Sequence, residues 1–311
     1  MPVIDEPDDY RFRAGEDLAG EVRRVARTRA DHALAALRDD LAADPVEAVH
    51  AARKDLKKIR SLLRLLREAL GDAVYGREND ALREAANGLG GIRDADVMLE
   101  TLDALDTRFP GLSAATAPLR ASIGSERPDD IAPRDEGAVT IIAEVAARIG
   151  DWRLDESESA INAGLARAYR RGRKRFADAR EKPSAEAMHE WRKRGKDLWY
   201  HLRLLADAWP GILEPLAEEV HAMTDHLGAH HDLAVLADRA KDELPKGEPL
   251  TALIDAVERK QSEHETAALA LGERVYAEKP KAFSKRMQRI TAARDVASRQ
   301  DQSALEGPYS Y

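Results

Sequence analysis

The chain has 311 residues, of which 43% are hydrophobic, 34% are charged and none is cysteine. The lack of cysteine excludes disulfides and thiolate metal ligands, and it favours a reducing cytoplasm. The acidic N-terminal sequence has no apolar run of the kind found in secretion signals. No stretch approaches the roughly 18 consecutive apolar residues of a membrane span, so a membrane location is not expected.

The net charge of −8 conceals a segregation of charge along the chain. Four segments, 50–67, 167–182, 189–203 and 279–294, hold 26 of the 49 Lys and Arg residues but 5 of the 57 acids. The rest of the chain is strongly acidic. Because local potential governs binding, these basic segments are candidates for contact with an anion.

Almost every segment of the first half is predicted to be helical, because strand-like alternation is missing and Ala, Leu, Arg and Glu dominate. The predicted helices cover about 16–42, 45–70, 73–88 and 93–107. Asp44 as N-cap and Pro45 at the first helical position predict the start of the second helix, and Gly71 its end. Residues 109–135 are rich in Pro and Gly, which predicts one short helix followed by a linker.

The second half repeats this order of helices. Pro183 and Ser184 predict the start of a helix that ends near 209–211. The other helices are predicted at about 135–150, 156–181, 213–228, 231–243, 249–277 and 280–298.

Two motifs occur once in each half, in the same order. His-x-x-Arg-Lys-x-x-Lys begins at His50 and again at His189, and Leu-Gly-x-x-x-Asp-x-x-Val occupies 89–97 and 227–235. Long helices with short connections favour antiparallel bundles. The sequence therefore predicts an all-α fold of two antiparallel helical bundles, related by an internal pseudo-two-fold axis and packed as one unit.

Both motif helices are predicted to have one apolar and one cationic face, at about 100° per residue. The apolar faces comprise Ala52, Leu56, Ile59, Leu62, Leu63, Leu66 and Leu70 in the first copy, and Trp191, Leu198, Leu202 and Leu205 in the second. The cationic faces comprise His50, Arg53, Lys54, Lys57, Ser61 and Arg64, with Arg60 at the edge, and His189, Arg192, Lys193, Lys196, Tyr200 and Arg203.

A cationic face of this kind has two explanations beyond simple solvation. Like charges about 6 Å apart in water repel by roughly 0.7 kcal/mol per pair, whereas solvated helix faces usually mix charges of both signs. Either a bound anion or an acidic neighbouring helix would offset the repulsion. The second copy departs from the first by having Gly195 in place of Leu56 and Asp197 in place of Lys58. Gly195 weakens the helix, or it admits a close neighbour or a ligand.

Five separated blocks resemble the CHAD family, the conserved histidine α-helical domain. They are VHAARKDLKKIRSLLRLL, LGGIRDADV, YRRGRKRF, MHEWRKRGKDLWYHLRLL and LGAHHDLAVL, and AEKPKAF also fits. The resemblance implies a CHAD domain at 15–298, with halves at about 15–123 and 135–298 and a linker at 124–134. An acidic segment, 1–14, precedes it and a tail, 299–311, follows. No triphosphate tunnel domain is recognisable, so a stand-alone member is expected.

The resemblance further implies a basic groove that binds inorganic polyphosphate without catalysis, in a cytoplasmic protein associated with polyphosphate granules and their proteins. No cofactor or metal is expected. Polyphosphate has about one charge per phosphate, which suits forked Arg and mobile Lys donors. The histidines would donate to it, or they are structural residues of a first helical turn. The expected polyphosphate-binding residues are His50, Arg53, Lys54, Lys57, Arg60, Arg64, Arg170, Arg173, Lys174, His189, Arg192, Lys193, Lys196, Tyr200, Arg203, Lys281, Lys285 and Arg289.

Two alternative functions are weighed against polyphosphate binding. A nucleic-acid-binding protein is disfavoured, because single-strand binders stack bases on aromatic residues and the basic faces contain almost none. A metal-dependent phosphohydrolase would need ligands such as His226 and His230, but no catalytic motif accompanies them. Asp94 and Asp232 are predicted to be structural caps at helix starts, with magnesium bridging to phosphate as the alternative.

Overall fold

Five ranges of the chain are described by the structure, a computed structural model: residues 10–13, 16–89, 94–125, 135–154 and 157–305. Most of the acidic segment 1–14, nearly all of the linker 124–134 and the end of the tail 299–311 lie outside these ranges. No strand occurs in the ranges, which are almost entirely helical, as predicted. None of the helices in them is both long and apolar enough to cross a membrane.

The α-helices of the described residues follow the predicted order. They are α1 (Leu18–Ala35), α2 (Pro45–Leu65), α3 (Arg67–Gly88), α4 (Asp94–Arg108), α5 (Ser113–Ser125), α6 (Asp135–Arg148), α7 (Ser157–Glu181), α8 (Ala185–Leu204), α9 (Pro210–Glu243), α10 (Glu248–Val275) and α11 (Pro280–Leu305). A π-helical turn, 36–40, extends α1, and short 3₁₀ turns occupy 110–112, 149–151 and 206–208.

The two motif helices begin at side-chain caps. The Asp44 carboxylate accepts the Glu47 backbone N–H at 3.1 Å, with Pro45 at the first helical position, which confirms the predicted start of α2. The Ser184 hydroxyl accepts the Ala187 N–H at 3.1 Å and starts α8 in the same way. Each cap satisfies a backbone donor that has no partner inside the helix.

Helix boundaries differ from prediction at several places, and α8 ends at Leu204 rather than near 209–211. Helix α2 ends at Leu65, and Leu66 already departs from helical dihedrals, about five residues before the predicted end. The predicted break at Gly71 is confirmed as well, because its φ of 73° and ψ of 158° interrupt the helical conformation within α3 and favour glycine. Helix α9 runs without interruption through Gly228, where two helices were expected. A glycine inside a helix is tolerated here because tertiary packing on α8 and α10 holds α9 in place.

Two hydrophobic cores hold the helices together, and each draws on both halves of the chain. The larger core contains side chains of α1, α2, α3, α6, α7, α8 and α11, together with the first part of α9 and the last part of α10. The smaller core contains α4, α5, the second part of α9 and the first part of α10. The halves therefore pack as a single unit. Internal pseudo-two-fold symmetry stays a prediction.

Residues before the predicted start of the domain also belong to the larger core. Tyr10 and Phe12 are fully buried, and the Phe12 N–H donates to the Leu204 carbonyl at the end of α8 at 2.9 Å. Arg11 forms ion pairs with Asp207 and Glu214. The fold thus includes Tyr10, five residues before the predicted boundary at 15.

Candidate anion-binding site

The apolar face predicted for α2 is confirmed. Its members from Ala52 to Leu66 are almost completely buried and Leu70 nearly so. The cationic residues lie on the other side and are half-buried or exposed. Ser61 is the exception, because it is fully buried.

Beneath the cationic face of α2 lies a buried ion cluster that the sequence analysis missed. Lys58, 3% exposed, lies 3.7 Å from the Asp55 carboxylate, and Arg29 of α1 lies 3.3 Å from the same oxygen. Burial lowers the pKa of Lys58 to about 8, although Asp55 opposes the shift. The pattern of a cation three residues after an acid was the available signal, and packing of α1 over it could not be read from α2 alone.

The cationic face of α8 is lined by α9. The Lys196 ammonium lies 3.1 Å from Asp225 of α9 and 4.3 Å from the Trp199 ring centroid. The Arg203 guanidinium lies 5.1 Å from the same ring, which is also in edge contact with His221. Burial lowers the pKa of Lys196. These cations are therefore held in place by aromatic and carboxylate contacts before any ligand arrives.

Gly195 explains how closely α9 approaches this face. A Cβ at Gly195 would lie 2.6 Å from the Thr224 methyl and 3.0 Å from the end of Met223. A Cβ at Gly228 would lie 3.2 Å from Arg192 Nε. The glycine of each motif in the second half therefore makes room for a neighbour from the other helix. Of the alternatives for Gly195, the structure shows the close neighbour.

The two motif helices contact each other through their C-terminal halves. His201 Nε2 of α8 lies 3.0 Å from the Ser61 carbonyl oxygen of α2, and Arg64 of α2 forms a 2.8 Å ion pair with Asp197 of α8. His201 is buried, which lowers its pKa to about 4. The neutral ring therefore donates its Nε2–H to the Ser61 carbonyl.

Cations of both motif helices meet around Tyr10. The Lys58 ammonium of α2 lies 5.7 Å from the centroid of the Tyr10 ring, and the Arg203 guanidinium of α8 lies 5.9 Å from it. The Tyr10 ring also makes an edge contact with Tyr200, which is buried rather than presented on the cationic face as predicted. Together with the Arg64–Asp197 and His201–Ser61 contacts, this arrangement brings the cationic residues of α2 and α8 to one junction, although Lys58 itself is buried. We use the name α2–α8 face for the cationic residues of the two helices, namely His50, Arg53, Lys54, Lys57, Arg60, Arg64, His189, Arg192, Lys193, Lys196 and Arg203.

Several predicted binding residues are engaged within the protein. Arg53 donates to the Ala86 carbonyl, Arg60 to Asn79, and Arg173 to the Tyr276 carbonyl at 3.1 Å. Lys193 pairs with Glu190 on its own helix. The acidic neighbouring helix that was kept as an alternative is present at one point of the face, where Asp225 of α9 pairs with Lys196, whereas the partners named above are carbonyl, amide or same-helix groups.

The other predicted cations lie on the outer surfaces of α7 and α11. Helix α11 packs against α7, with Phe283 stacked on Tyr169 at a centroid distance of 3.8 Å. The solvent-exposed members of this set are Arg170, Lys174, Lys281, Lys285 and Arg289. No contact described by the structure joins these five residues to the α2–α8 face.

Histidines contact each other in two pairs, one between α8 and α9 and one between α9 and α10. The rings of His189 and His231 lie 4.2 Å apart, and the Nδ1 atoms of His226 and His264 lie 3.0 Å apart. Burial, helped by His231 and nearby cations, lowers the pKa of His189. Among the described residues, no group of three or more His, Asp or Glu side chains is arranged to hold a metal ion.

The two repeated aspartates lie in different settings. Asp232 is inside α9, so the prediction that it caps a helix start is wrong: the helix continues through the preceding residues, whose N–H groups are already bonded. Asp94 is the first residue of α4, and its side chain lies outside what the structure describes.

The family model of the CHAD domain matches residues 24–241, more than half of the chain. This chain belongs to the CHAD family. Within this CHAD protein, the matched residues run from α1 to the last turn of α9 and include both motif helices.

Similar proteins agree with this membership. An uncharacterized protein of Mycobacterium tuberculosis, MT2285, is 30% identical over 209 residues, which are 62% of this chain and 40% of that protein. The alignment thus spans less than half of the relative. The crystal structure of the CHAD domain from the plant Ricinus communis is 19% identical, with a TM-score of 0.56 over 88% of this chain and 98% of that one.

PptA from Streptomyces chartreusis is 18% identical, with a TM-score of 0.54 over 85% of this chain and 98% of that one. At these identities, the likeness to the two solved structures shows the fold alone.

Proposed function

We propose that this CHAD protein binds inorganic polyphosphate on the α2–α8 face and does not hydrolyse it. The observation that carries the proposal is the junction of the two motif helices, where Arg64 of α2 pairs with Asp197 of α8 and Arg203 of α8 lies 5.9 Å from the Tyr10 ring centroid, so that cations of both motif copies lie together. A long polyanion can contact a joined surface along its length, and each added contact displaces counterions. In the cell, such binding would place the protein on polyphosphate granules in the cytoplasm.

The aromatic residues of the face favour phosphate over nucleobases. Tyr200 is buried, and Trp199 is already in contact with Lys196, Arg203 and His221. Single-strand binders need open rings on which bases stack. Polyphosphate carries no bases, so it needs only the cations.

A direct titration tests this function. Long-chain polyphosphate, short polyphosphate, orthophosphate and single-stranded DNA are titrated at two salt concentrations while released phosphate is measured with divalent metal present. We expect long chains to bind best, orthophosphate barely to compete, and affinity to fall steeply with salt, with the single-strand slope of about 0.7 per phosphate as a guide. Phosphate release, or DNA binding that polyphosphate cannot displace, would contradict the proposal.

A matched pair of variants locates the site. Replacing Arg53, Lys57, Arg192 and Lys196 together by Ala should remove most of the binding, and each single change should weaken it modestly. The control replaces four cations outside the face, in α9, α10 and the turn between them: Lys241, Lys246, Arg259 and Arg274. Both quadruple variants lose four positive charges, so equal losses of affinity would show that net charge, and not the α2–α8 face, governs binding.

A further inference from the structure

Helix α7 packs directly against the end of α2, where α2 meets α8. A Cβ at Gly164 of α7 would lie 2.0 Å from the Leu65 carbonyl oxygen, so only glycine allows this approach. One turn further along α7, Arg167 donates its Nη2–H to the Arg64 carbonyl at 3.1 Å. The close packing therefore brings cations of α7 to the point where the two motif helices join.

Four arginines from three helices gather at this point. The Asp197 carboxylate of α8 lies 2.8 Å from Arg64 of α2 and 3.1 Å from Arg194 of α8. Partial burial, followed by the neighbouring cations Arg194 and Arg167, lowers the pKa of Arg171, so these three side chains share one positive environment. We call the four residues the arginine junction: Arg64, Arg167, Arg171 and Arg194.

Carboxylates balance only part of this positive charge. Asp197 pairs with two members of the arginine junction, and Glu68 pairs with Arg167. Two other acids nearby, Glu190 and Asp72, have ion pairs with cations outside the junction. Among the described residues, two carboxylates thus face four guanidinium groups, and a bound anion would offset the remaining charge.

The arginine junction is also open to solvent. Arg171 is exposed, and it takes part in no ion pair within the described ranges. The side chains of Arg64, Arg167 and Arg194 are 26%, 19% and 28% exposed. An accessible guanidinium group binds phosphate oxygens through a planar fork of N–H donors, which a lysine does not provide. The junction therefore has the chemistry of a phosphate site.

The arginine junction lies between the α2–α8 face and the exposed cations of α7 and α11, which we call the outer cations: Arg170, Lys174, Lys281, Lys285 and Arg289. Arg64 belongs to the α2–α8 face, whereas Arg171 directly follows Arg170 in α7. Spacings of i, i+3, i+4 and i+7 put four cations on one face of α7, namely Arg167, Arg170, Arg171 and Lys174. Helix α11 packs on α7 through the stacked rings of Phe283 and Tyr169.

We propose that the arginine junction binds polyphosphate and connects the α2–α8 face with the outer cations in one continuous path. The inference rests on the proposed function and names the residues that set a preference for long chains. A short chain is held at one end of the path, whereas a long chain contacts both ends and the junction between them. Each added contact displaces further counterions, so affinity rises with chain length until the path is filled.

Charge reversal at Arg171 tests the junction. Because Arg171 has no ion pair among the described residues, Arg171→Glu breaks none of them and places a carboxylate in the middle of the path. Arg171→Gln removes the charge alone. The control, Arg259→Glu, reverses an exposed arginine of α10 that lies over the Phe109 ring beside the smaller core. Long-chain and short polyphosphate are titrated against each protein at low salt.

Arg171→Glu should weaken long-chain binding by about 10-fold and Arg171→Gln by about 3-fold, whereas short chains should lose less than about 2-fold. The control should change both affinities by less than about 2-fold. No loss for long chains, equal losses for long and short chains, or an equal loss in the control would overturn the inference while the proposed function stands. Failure of the unmodified chain to bind polyphosphate would instead refute the proposed function.

A second substitution tests whether the path is continuous. Replacing Lys281, Lys285 and Arg289 together by Ala should reduce the affinity of the otherwise unmodified chain for long polyphosphate about 3- to 10-fold. In the Arg171→Glu background the same change should have less than about a 2-fold effect, because a chain held on the α2–α8 face no longer reaches α11. Equal losses in both backgrounds would show that the outer cations bind polyphosphate independently of the junction, which contradicts the proposal.

Discussion

The two motif helices contain the same kind of ion pair with opposite polarity. Five residues after the motif histidine, α2 has Asp55 and α8 has Arg194, and three residues further on they have Lys58 and Asp197. Both pairs are formed, at 3.7 Å in α2 and 3.1 Å in α8. Each motif helix therefore buries one carboxylate under its cationic face, at different positions.

The third partner of each pair shows what this reversal does. In α2 the buried carboxylate also forms an ion pair with Arg29 of α1, so all three charged residues belong to the first half of the chain. In α8 the carboxylate also forms an ion pair with Arg64 of α2, so this cluster connects the two halves of the chain. Each copy of the motif thus supplies cations. The position of the buried carboxylate determines which of these cations already form ion pairs inside the protein.

Among the changes that test this comparison, removing the buried acid of α2 should reduce the stability of the protein the most. Asp55→Asn leaves Lys58 and Arg29 buried without a carboxylate, so the free energy of unfolding should fall by about 3–5 kcal/mol. Urea unfolding followed by circular dichroism measures this change.

The equivalent change in α8, Asp197→Asn, is the control. Its partners Arg64 and Arg194 are 26% and 28% exposed, so water can solvate them and the loss should be about 1–2 kcal/mol. If Asp197→Asn reduced the free energy of unfolding as much as Asp55→Asn, the burial of the partner cations would not determine how much stability each carboxylate contributes.

A residue lies between the two members of each ion pair, Leu56 in α2 and Gly195 in α8, and substitutions there test packing in the same way. Leu56 is fully buried in the core, so Leu56→Ala should create a cavity and reduce the free energy of unfolding by about 2–5 kcal/mol. Gly195→Ala gives α8 the same residue but adds a methyl group 2.6 Å from Thr224. Overpacking should reduce stability by about 1–3 kcal/mol. A stabilised Gly195→Ala variant, as helix propensity alone would predict, would contradict the close approach of α9.

The contact between the two motif helices should depend on pH. The pKa of His201 is about 4 in the folded protein and about 6.5 when unfolded, so the unfolded chain binds the extra proton between these values. The contribution of His201 is fully present above pH 6.5. It declines as pH falls toward 4, by up to about 3 kcal/mol. Unfolding measured from pH 7 to pH 4 should show this slope.

His201→Gln keeps an amide donor for the Ser61 carbonyl but cannot be protonated in this range. The variant should therefore lose that part of the pH dependence while other acid-sensitive groups keep theirs. An unchanged slope in His201→Gln would mean that another group causes the acid sensitivity.

The smallest effect is expected at an exposed pair. Lys193 forms an ion pair with Glu190 three residues away on α8, and about half of the lysine side chain is exposed. Lys193→Ala should change the free energy of unfolding by less than about 0.5 kcal/mol, because solvent screens such pairs. Lys54, the equivalent residue of α2, offers the matched variant. A loss above 1 kcal/mol for Lys193→Ala would assign the residue a structural role.

Much of the local structure could be predicted from sequence. The apolar positions of α2 and α8 follow a helical period, so their buried faces were predictable from the 3.6-residue repeat. The cap at Asp44 and Pro45 was predictable because the backbone donors it satisfies lie within four residues. The family blocks kept their order along the chain, which was enough to predict an all-α CHAD fold.

The tertiary structure alone decided which cations face solvent. Lys58 and Lys57 are neighbours in sequence, yet one is buried beneath the face and the other is exposed, because α1 and Tyr10 pack against only one side of α2. A helical period gives the angle of a side chain but not the identity of the helix that covers it.

Gly228 makes the same point for helix boundaries. Its intrinsic preference predicts a break, but α9 continues, because its packing against α8 and α10 favours an unbroken helix, and Arg192 Nε of α8 lies 3.2 Å from where a Cβ of residue 228 would be. Local propensity differs among residues by about 1 kcal/mol, whereas the burial of one large apolar side chain contributes about 1.5–3 kcal/mol. Where the two disagree, as at Gly228, contacts between distant segments determine the structure.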